Sequence, residues 1–584
     1  MRTDDRSPVA RHAFGGLMLL ALVVLGAGIG LRDPWPPDEP RFALVARQML
    51  ERGQWLFPHR GHELYADKPP LLMWCEALMF ALTHGWRGAF LLPSLLAGLG
   101  TLIVLYRTAR RLWDARIGLY AAALLLATFQ FVEVVRHAQI DPLLLFCITA
   151  GNAGILVHCL RGPDWRAFWL GCFAAGLGVV AKGVGVLALL MLLPYLWARR
   201  RGWPVTFAQR RRAAEDHGPA GPQADRVASP GDGWRWAAGA LAFLLPILAW
   251  LAPMLIAALG SGDAERLAYV HDLLFHQTAE RYADSWQHRE PAWFFLRVMI
   301  VDWLPVSLLI PLLVPRWRED LRRHEARVLL PLAWWMLALV FFSLTPGKRE
   351  LYILPAVPMV ALAIAPHLDA LLARRWLQRT AFVLAVLAGT AAVVAGAWAW
   401  LKHPHAAQRI AAGYELTDGG RALWWSVIAA GVPFLVAAAW LRPRRGVIAL
   451  VAGMAAAWVI WPLATYPLLG ASQSGRAIMA RAEQRVGPDG EIGLVLWREE
   501  LLLQARRPVA EFGFSRRAED QLRDALAWQA QAPARRWILI DSDAMGRCVD
   551  PARAVSLGVA NRNAWWLFDA AAVREACRPA AAGR

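Results

Sequence analysis

The chain has 584 residues, of which 57% are hydrophobic and 18% charged, with a mean hydropathy of +0.35; this excludes an ordinary soluble protein and makes lipid the main solvent. A formal net charge of +18 would suggest nucleic acid in a soluble chain. Here the Lys and Arg residues sit in short segments between apolar runs, which is the pattern that orients membrane proteins, so no nucleic-acid partner is expected. Cys548 and Cys577 lie in a polar region without CxxC spacing, which argues against a cysteine zinc site.

The first apolar run, Phe14 to Leu31, follows Arg2, Arg6 and Arg11 and has no small-x-small cleavage site before Asp33. It reads as an uncleaved first span. Further runs of crossing length fall at 89–106, 117–135, 142–160, 167–181, 184–198, 236–259, 293–314, 328–344, 351–366, 378–400, 423–440 and 446–468, which predicts about thirteen spans. The fifth and sixth divide only at Lys182-Gly183. With the N-terminus in the cytoplasm, every inside loop is basic: Arg107 to Arg116, Arg161 and Arg166, Arg199 to Arg201, Arg316 to Arg327, Arg374 to Arg379, and Arg442 to Arg445. The outside segments are mixed in sign, so the charge rule places the C-terminal region outside. The stretch from Arg199 to Gly233 reads as a flexible cytoplasmic loop.

The predicted class is therefore an all-α polytopic membrane protein over residues 1–470, followed by a small α/β domain over 471–584. In that domain EIGLVLW and RRWILIDSD read as buried strands and Arg516 to Gln531 as a helix. Cys548 and Cys577 form a disulfide there if the compartment is oxidising, or remain two free thiols.

Chemistry concentrates in the outside segments, above all in loops 32–88 and 260–292. Pro34, Pro36 and Pro37 stop the helix after the first span, and Asp38-Glu39-Pro40 can start a new one. Asp38 is thus either an N-cap or a site group. The helix that follows carries Phe42, Val45, Ala46 and Met49 on one face, as expected of a segment lying along the membrane surface. Asp67-Lys68-Pro69-Pro70 precedes an apolar helix, Leu71 to Leu82. A Lys at a helix start opposes the macrodipole, and a phosphate partner would account for it. Asp141 has the same two readings as Asp38. His276 and Arg281 lie in the second loop, where a His is either hydrogen-bonded structure or a metal ligand. Lys348, Arg349 and Tyr352 occupy an outside junction, where snorkelling alone would explain the cations.

Carboxylates Asp38, Asp67 and Asp141 and cations Lys68, Arg281, Lys348 and Arg349 thus gather on one side of the membrane. That set suits group transfer from an anionic phosphate ester at the bilayer surface. No P-loop, GxGxxG or kinase motif is present, so no nucleotide is expected and the donor should be lipid-linked. A lipid or glycan transporter is the alternative from another class, but transporters commonly show repeated halves and midplane charges, neither of which is seen here.

The segments DEPRFALVARQMLERGQWLFP, ADKPPLLMW, GLGVVAKGVGVL, HQTAERY with HREPAWFF, and FFSLTPGKRELYILPAVP resemble, in order and spacing, the bacterial aminoarabinose transferase family. That family lies within the protein mannosyltransferase-like proteins of GT-C fold, and the match runs over about residues 14–370. The resemblance implies transfer of 4-amino-4-deoxy-L-arabinose from undecaprenyl phosphate to lipid A phosphate at the periplasmic face of the inner membrane. Relatives with similar loops act on protein or other glycans, which keeps a different acceptor open. By the same resemblance Asp38 and Asp141 are the catalytic acidic positions, and Lys68, Arg281, Tyr352 and Lys348 hold the donor phosphate. Asp67, standing where the family has Glu, and His276 hold a divalent metal, Zn or Mg/Mn. Lys68-Pro69-Pro70 replaces the His-Pro-Pro of the protein mannosyltransferases, which favours the aminoarabinose branch.

Overall fold

The computed structural model describes residues 8–210, 232–274, 289–416 and 418–578. Among them eight helices are long and apolar enough to cross a membrane, or ten if two bent pairs each count as one crossing. The chain is a multi-pass membrane protein. The three other segments predicted as spans are helical but fall outside that count: Pro8–Gly26, Trp165–Lys182, and a 3-10 stretch Val184–Met191 leading into Leu192–Arg200. The expected span 117–135 bends by 70° between Ala115–Ala127 and Phe129–Val135, and the expected span 293–314 bends by 104° between Phe294–Asp302 and Val306–Arg322. Hydropathy reports apolar length and cannot report such bends.

Ile140–Arg161 and Glu350–Leu372 form the middle of the bundle, with 83% and 78% of their most apolar windows buried. Leu145, Ile148, Ile155 and Leu156 pack there in one cluster with Trp334, Leu354, Val357 and Leu362. Gly154 lets Trp165–Lys182 approach closely, since a Cβ there would meet the Ala167 carbonyl oxygen at 2.3 Å. The last three spans, Arg375–Lys402, Arg421–Leu441 and Pro443–Gln473, are only 22% buried each. They turn side chains such as Trp440 outward, as lipid-facing helices do.

The two ends of the bundle differ in charge. At one end the arginine-bearing loops meet: Arg116 lies 2.5 Å from Asp369, Arg111 lies 3.8 Å from Asp164, and Arg327 donates to the Leu112 carbonyl at 3.1 Å. Ile140–Arg161 carries Asp141 in its first turn and ends in Arg161 at this basic end, and Trp165–Lys182 returns the chain to Lys182. Asp141 and Lys182 therefore mark the opposite end.

At that opposite end two short strands, β1 (His59–Arg60) and β2 (Glu63–Leu64), form a hairpin. Beyond the last span lie β3 (Glu491–Val495), β4 (Ala510–Glu511), β5 (Arg536–Asp541), β6 (Val555–Ala560) and β7 (Asn563–Phe568). They form one five-stranded sheet in the order β4-β3-β5-β7-β6, parallel across β4, β3 and β5 and antiparallel at β7 and β6. The strands expected from EIGLVLW and RRWILIDSD are β3 and β5, and the expected helix is Ala518–Ala530. The β6–β7 hairpin is an addition, turned by Asn561 and Arg562, both at positive φ. Cys548 and Cys577 are joined as a disulfide.

The helix expected to lie on the membrane surface, Glu39–Arg52, is instead sandwiched inside protein. Phe42, Val45, Ala46 and Met49 pack on Tyr65, Leu72, Met73 and Ile140. Ala43 and Leu44, on its other side, join Ile478, Leu494, Trp497 and Leu501 of the C-terminal region in a second core.

Candidate active site

The loop after the first helix is pinned by a buried ion pair. Arg32 is fully buried and grips Glu39 through both guanidinium nitrogens, the second at 2.7 Å. Its guanidinium also stacks 4.8 Å from the Trp35 ring and 5.0 Å from that of Tyr466. Glu39 accepts in addition the backbone N–H groups of Trp35 at 2.8 Å and Ala138 at 3.0 Å. Burial alone would favour its neutral form, but Arg32 outweighs burial and holds the carboxyl below its ordinary range. Glu39 is thus the structural acid of the pair, and it fixes the position of its neighbour Asp38.

Asp38 occupies the N-cap position of Glu39–Arg52 yet makes no side-chain cap hydrogen bond. Its carboxylate lies 3.8 Å from Arg41 and 3.8 Å from Arg349. Of the two readings open in the sequence, capping is not the one realised. Asp141 is likewise not a cap: it accepts from Lys182 Nζ at 2.5 Å. Lys182 closes its own helix, where a cation suits the dipole, and Gly183 follows at φ +78°. The ammonium of Lys182 sits 4.9 Å from the Tyr352 ring centroid. Arg349 and Tyr352 flank one tight turn, in which the Tyr352 N–H donates to the Arg349 carbonyl at 3.0 Å. That turn joins the two carboxylates: Arg349 faces Asp38, and Tyr352 faces the Lys182–Asp141 pair.

Lys348 points elsewhere. It is buried, and its ammonium donates to the carbonyls of Thr345 at 2.7 Å and Glu290 at 2.8 Å. It clasps backbone where the Arg289–Gly347 bridge already joins the two segments. Asp67 is 41% exposed and 3.6 Å from Arg60. Lys68 is half-buried, two residues before the cap of Leu71–Thr83. His276 and Arg281 lie outside the described residues. Among the described residues no three His, Cys, Asp or Glu side chains gather as a metal cage.

A further set of charges lies between the loop and the C-terminal sheet. Glu499, the first residue of helix Glu499–Gln504, stands 3.1 Å from Arg41 and 3.7 Å from Arg60. Burial opposes the charge on Arg41, but Tyr65, Glu499 and Asp38 outweigh it, so this guanidinium stays charged. Lys182 had a signal in the sequence, being a lone cation at the edge of an apolar run. Arg41 follows Asp38 by one helical turn. Arg60 and Glu499 had none, because their meeting depends on the tertiary fold.

Residues 67–210 match the model of the dolichyl-phosphate-mannose-protein mannosyltransferase family. The undecaprenyl phosphate-alpha-4-amino-4-deoxy-L-arabinose arabinosyl transferase 2 of Sodalis glossinidius is 30% identical over 362 residues, 60% of this chain and 59% of that protein. The corresponding transferase of Pseudomonas aeruginosa is 32% identical over 341 residues, 56% of this chain and 54% of that protein. The matched part thus spans somewhat over half the length of these relatives. The crystal structure of ArnT from Cupriavidus metallidurans in the apo state superposes with a TM-score of 0.72 at 20% identity, covering 97% of this chain and 99% of that one. The same protein bound to undecaprenyl phosphate gives 0.69 at 19% identity, covering 97% and 98%. The chain therefore has the GT-C fold in the form seen in ArnT, and over part of its length it is similar in sequence to the arabinosyl transferases.

Proposed function

We propose that the chain is an inner-membrane glycosyltransferase that moves 4-amino-4-deoxy-L-arabinose from undecaprenyl phosphate to a lipid A phosphate at the periplasmic face. The observation that carries the reading is the pairing of two carboxylates with cations at one end of the bundle: Asp38 faces Arg349 at 3.8 Å, and Asp141 meets Lys182 at 2.5 Å. The similarity to named transferases supports the same donor. In the transfer, the bond from the sugar anomeric carbon to the donor phosphate oxygen breaks and a bond to the acceptor oxygen forms. Undecaprenyl phosphate leaves with the electron pair. Lys68, Lys182 and Arg349 supply positive charge for that departing anion. A phosphate acceptor is already anionic, so Asp38 orients it; a hydroxyl acceptor would need Asp38 as base.

Charge supports the orientation in this reading. The arginine-rich end suits the cytoplasm, and the Cys548–Cys577 disulfide suits an oxidising periplasm for the site and the sheet. A divalent metal, Zn or Mg/Mn, is part of the proposal, with Asp67 and His276 as its protein ligands. The exposed Asp67 carboxylate has an oxygen to offer, since Arg60 approaches it only to 3.6 Å. No step above depends on that metal.

A second acceptor class, protein or another glycan, is favoured by one observation, the match of residues 67–210 to the protein mannosyltransferase model. Purified protein incubated with defined lipid-linked sugars, with and without chelator, tests both. A pentosamine mass gain on lipid A that is lost in Asp38→Asn is the expected result. Transfer to peptide in its place would establish the second acceptor, and lipid flipping without transfer would make the chain a transporter.

A further inference from the structure

The sheet beyond the last span reaches into the membrane-end site through one carboxylate. Glu499 has a side chain only 7% exposed and lies 3.1 Å from Arg41 and 3.7 Å from Arg60. Each of those arginines faces a different acidic residue: Arg41 lies 3.8 Å from Asp38, and Arg60 lies 3.6 Å from Asp67. The charges thus alternate along a chain from Arg349 through Asp38, Arg41, Glu499 and Arg60 to Asp67. Glu499 links the Asp38 side of the chain to the Asp67 side and is its only member from the C-terminal region.

Its placement is rigid. Leu501 and Leu503, on the same short helix, are packed in the core that includes Ala43 and Leu44. Arg47 donates to the Leu503 carbonyl at 3.0 Å, which ties that helix to Glu39–Arg52 nearly two turns beyond Arg41. Arg60 is held from its other side by the Phe514 ring, 3.7 Å from the guanidinium carbon. Two guanidinium groups this close to one buried carboxylate would otherwise repel each other and swing toward solvent, or toward Asp38 and Asp67.

We infer that Glu499 is a positioning residue for the transfer site, through which the C-terminal domain sets the directions of Arg41 and Arg60 and hence the geometry of Asp38 and Asp67. The inference rests on the function proposed above and adds the part of the chain that completes the site. A carboxylate at this point keeps Arg41 from closing onto Asp38 and Arg60 from closing onto Asp67, and so leaves Asp38 available to the acceptor. The domain acts here as a wall of the active site.

The test uses the full chain in lipid nanodiscs. Glu499→Gln keeps the shape and removes the charge, and it is expected to lower kcat about tenfold with the donor KM within twofold of wild type. Glu499→Asp should recover at least a third of the loss. Glu415→Gln is the control. Glu415 holds the same domain from the far side, accepting from Arg481 at 2.8 Å and from the Val559 N–H at 2.6 Å, and touches none of the charged chain. Its kcat should match wild type. Hydrogen exchange at residues 38–41 and 59–67 reads the positioning without substrate and should quicken at least fivefold in Glu499→Gln and in neither wild type nor Glu415→Gln. Unchanged exchange in Glu499→Gln, or an equal kcat loss in both variants, overturns the inference. A wild-type protein that transfers no sugar, while exchange responds as stated, overturns the function and leaves the positioning in place.

Discussion

Lys182 carries its charge to the edge of the bundle between Asp141, at 2.5 Å, and the face of Tyr352, at 4.9 Å. The pair is nearly closed to solvent, so neither charge has water to replace the other. Removing one partner from such a pair leaves an uncompensated charge and costs more than the pair contributes. Lys182→Met is therefore expected to lower the transfer rate by about a hundredfold or more, the scale seen when one preorganised electrostatic group is lost. Lys182→Arg should restore part of it, and Lys182→Met combined with Asp141→Asn should be no slower than the worse single variant. Full additivity of the two losses in the transfer assay would separate the residues functionally. Lys348 shows the contrast: an ammonium already engaged by two carbonyls at 2.7 and 2.8 Å is occupied holding backbone together.

At the level of single elements, helix Glu499–Gln504 places one acid toward the site and the next toward the domain interior. Glu500 is buried, and burial first, with Glu499 second, pushes its carboxyl up to about 7 from an ordinary 4.5. The sign follows from linkage. Below about pH 4.5 the acid is protonated in both folded and unfolded chains and costs nothing. As pH rises to about 7 the unfolded chain ionises while the folded one does not, so stability falls; above that it is level. The total is about 3 kcal/mol at one unit per 1.36 kcal/mol. Thermal melts of the full chain should therefore lose Tm between pH 5 and 7, and Glu500→Gln should remove most of that slope; an unchanged slope would locate it elsewhere. What could be read in the sequence also divides by element. The long spans were legible because lipid demands both length and apolarity, and β3 and β5 because they are short apolar runs closed by turn residues. The β6–β7 hairpin was not, since Val555–Ala560 alternates imperfectly, with burial passing from half-buried to exposed to buried and back. In Glu39–Arg52 the apolar face was legible and its partner was not: periodicity marks a face as buried and is silent about whether lipid or protein covers it. The same limit applies to the site. Asp38, Asp141 and Tyr352 stand out because charge or a phenol at a span boundary needs a reason, whereas Arg60 and Glu499 acquire theirs only when distant segments meet.

Across the whole molecule, the C-terminal sheet and the membrane bundle share a core. Ala43, Leu44, Phe90, Leu91 and Ala138 pack with Ile478, Met479, Ile492, Leu494, Trp497 and Leu501 in one apolar cluster. Charged contacts surround it. Asp33 meets Arg476 at 3.1 Å and Arg87 at 3.0 Å. Glu511 accepts from the His62 N–H at 2.7 Å, and Glu63 accepts from the Ser515 hydroxyl at 2.7 Å. A domain tied on by a linker and a polar contact melts separately from its neighbour, because little free energy couples the two. Here separation would expose Leu44, Phe90, Leu494, Trp497 and Leu501 to water, each worth about 1.5–3 kcal/mol when fully buried. Over the five side chains the coupling, roughly 7–15 kcal/mol, is comparable to the roughly 5–15 kcal/mol by which a single domain is stable. Scanning calorimetry of the full chain should show the sheet and the bundle unfolding in one transition, and proteolysis within 476–578 should begin only at that temperature. Leu44→Asp, which puts a charge into the shared core without touching the ion pairs, should split the melt in two and release the sheet first. A wild-type melt already split in two would mean that the apolar contact does not couple the parts, and that the sheet is docked by its charges alone.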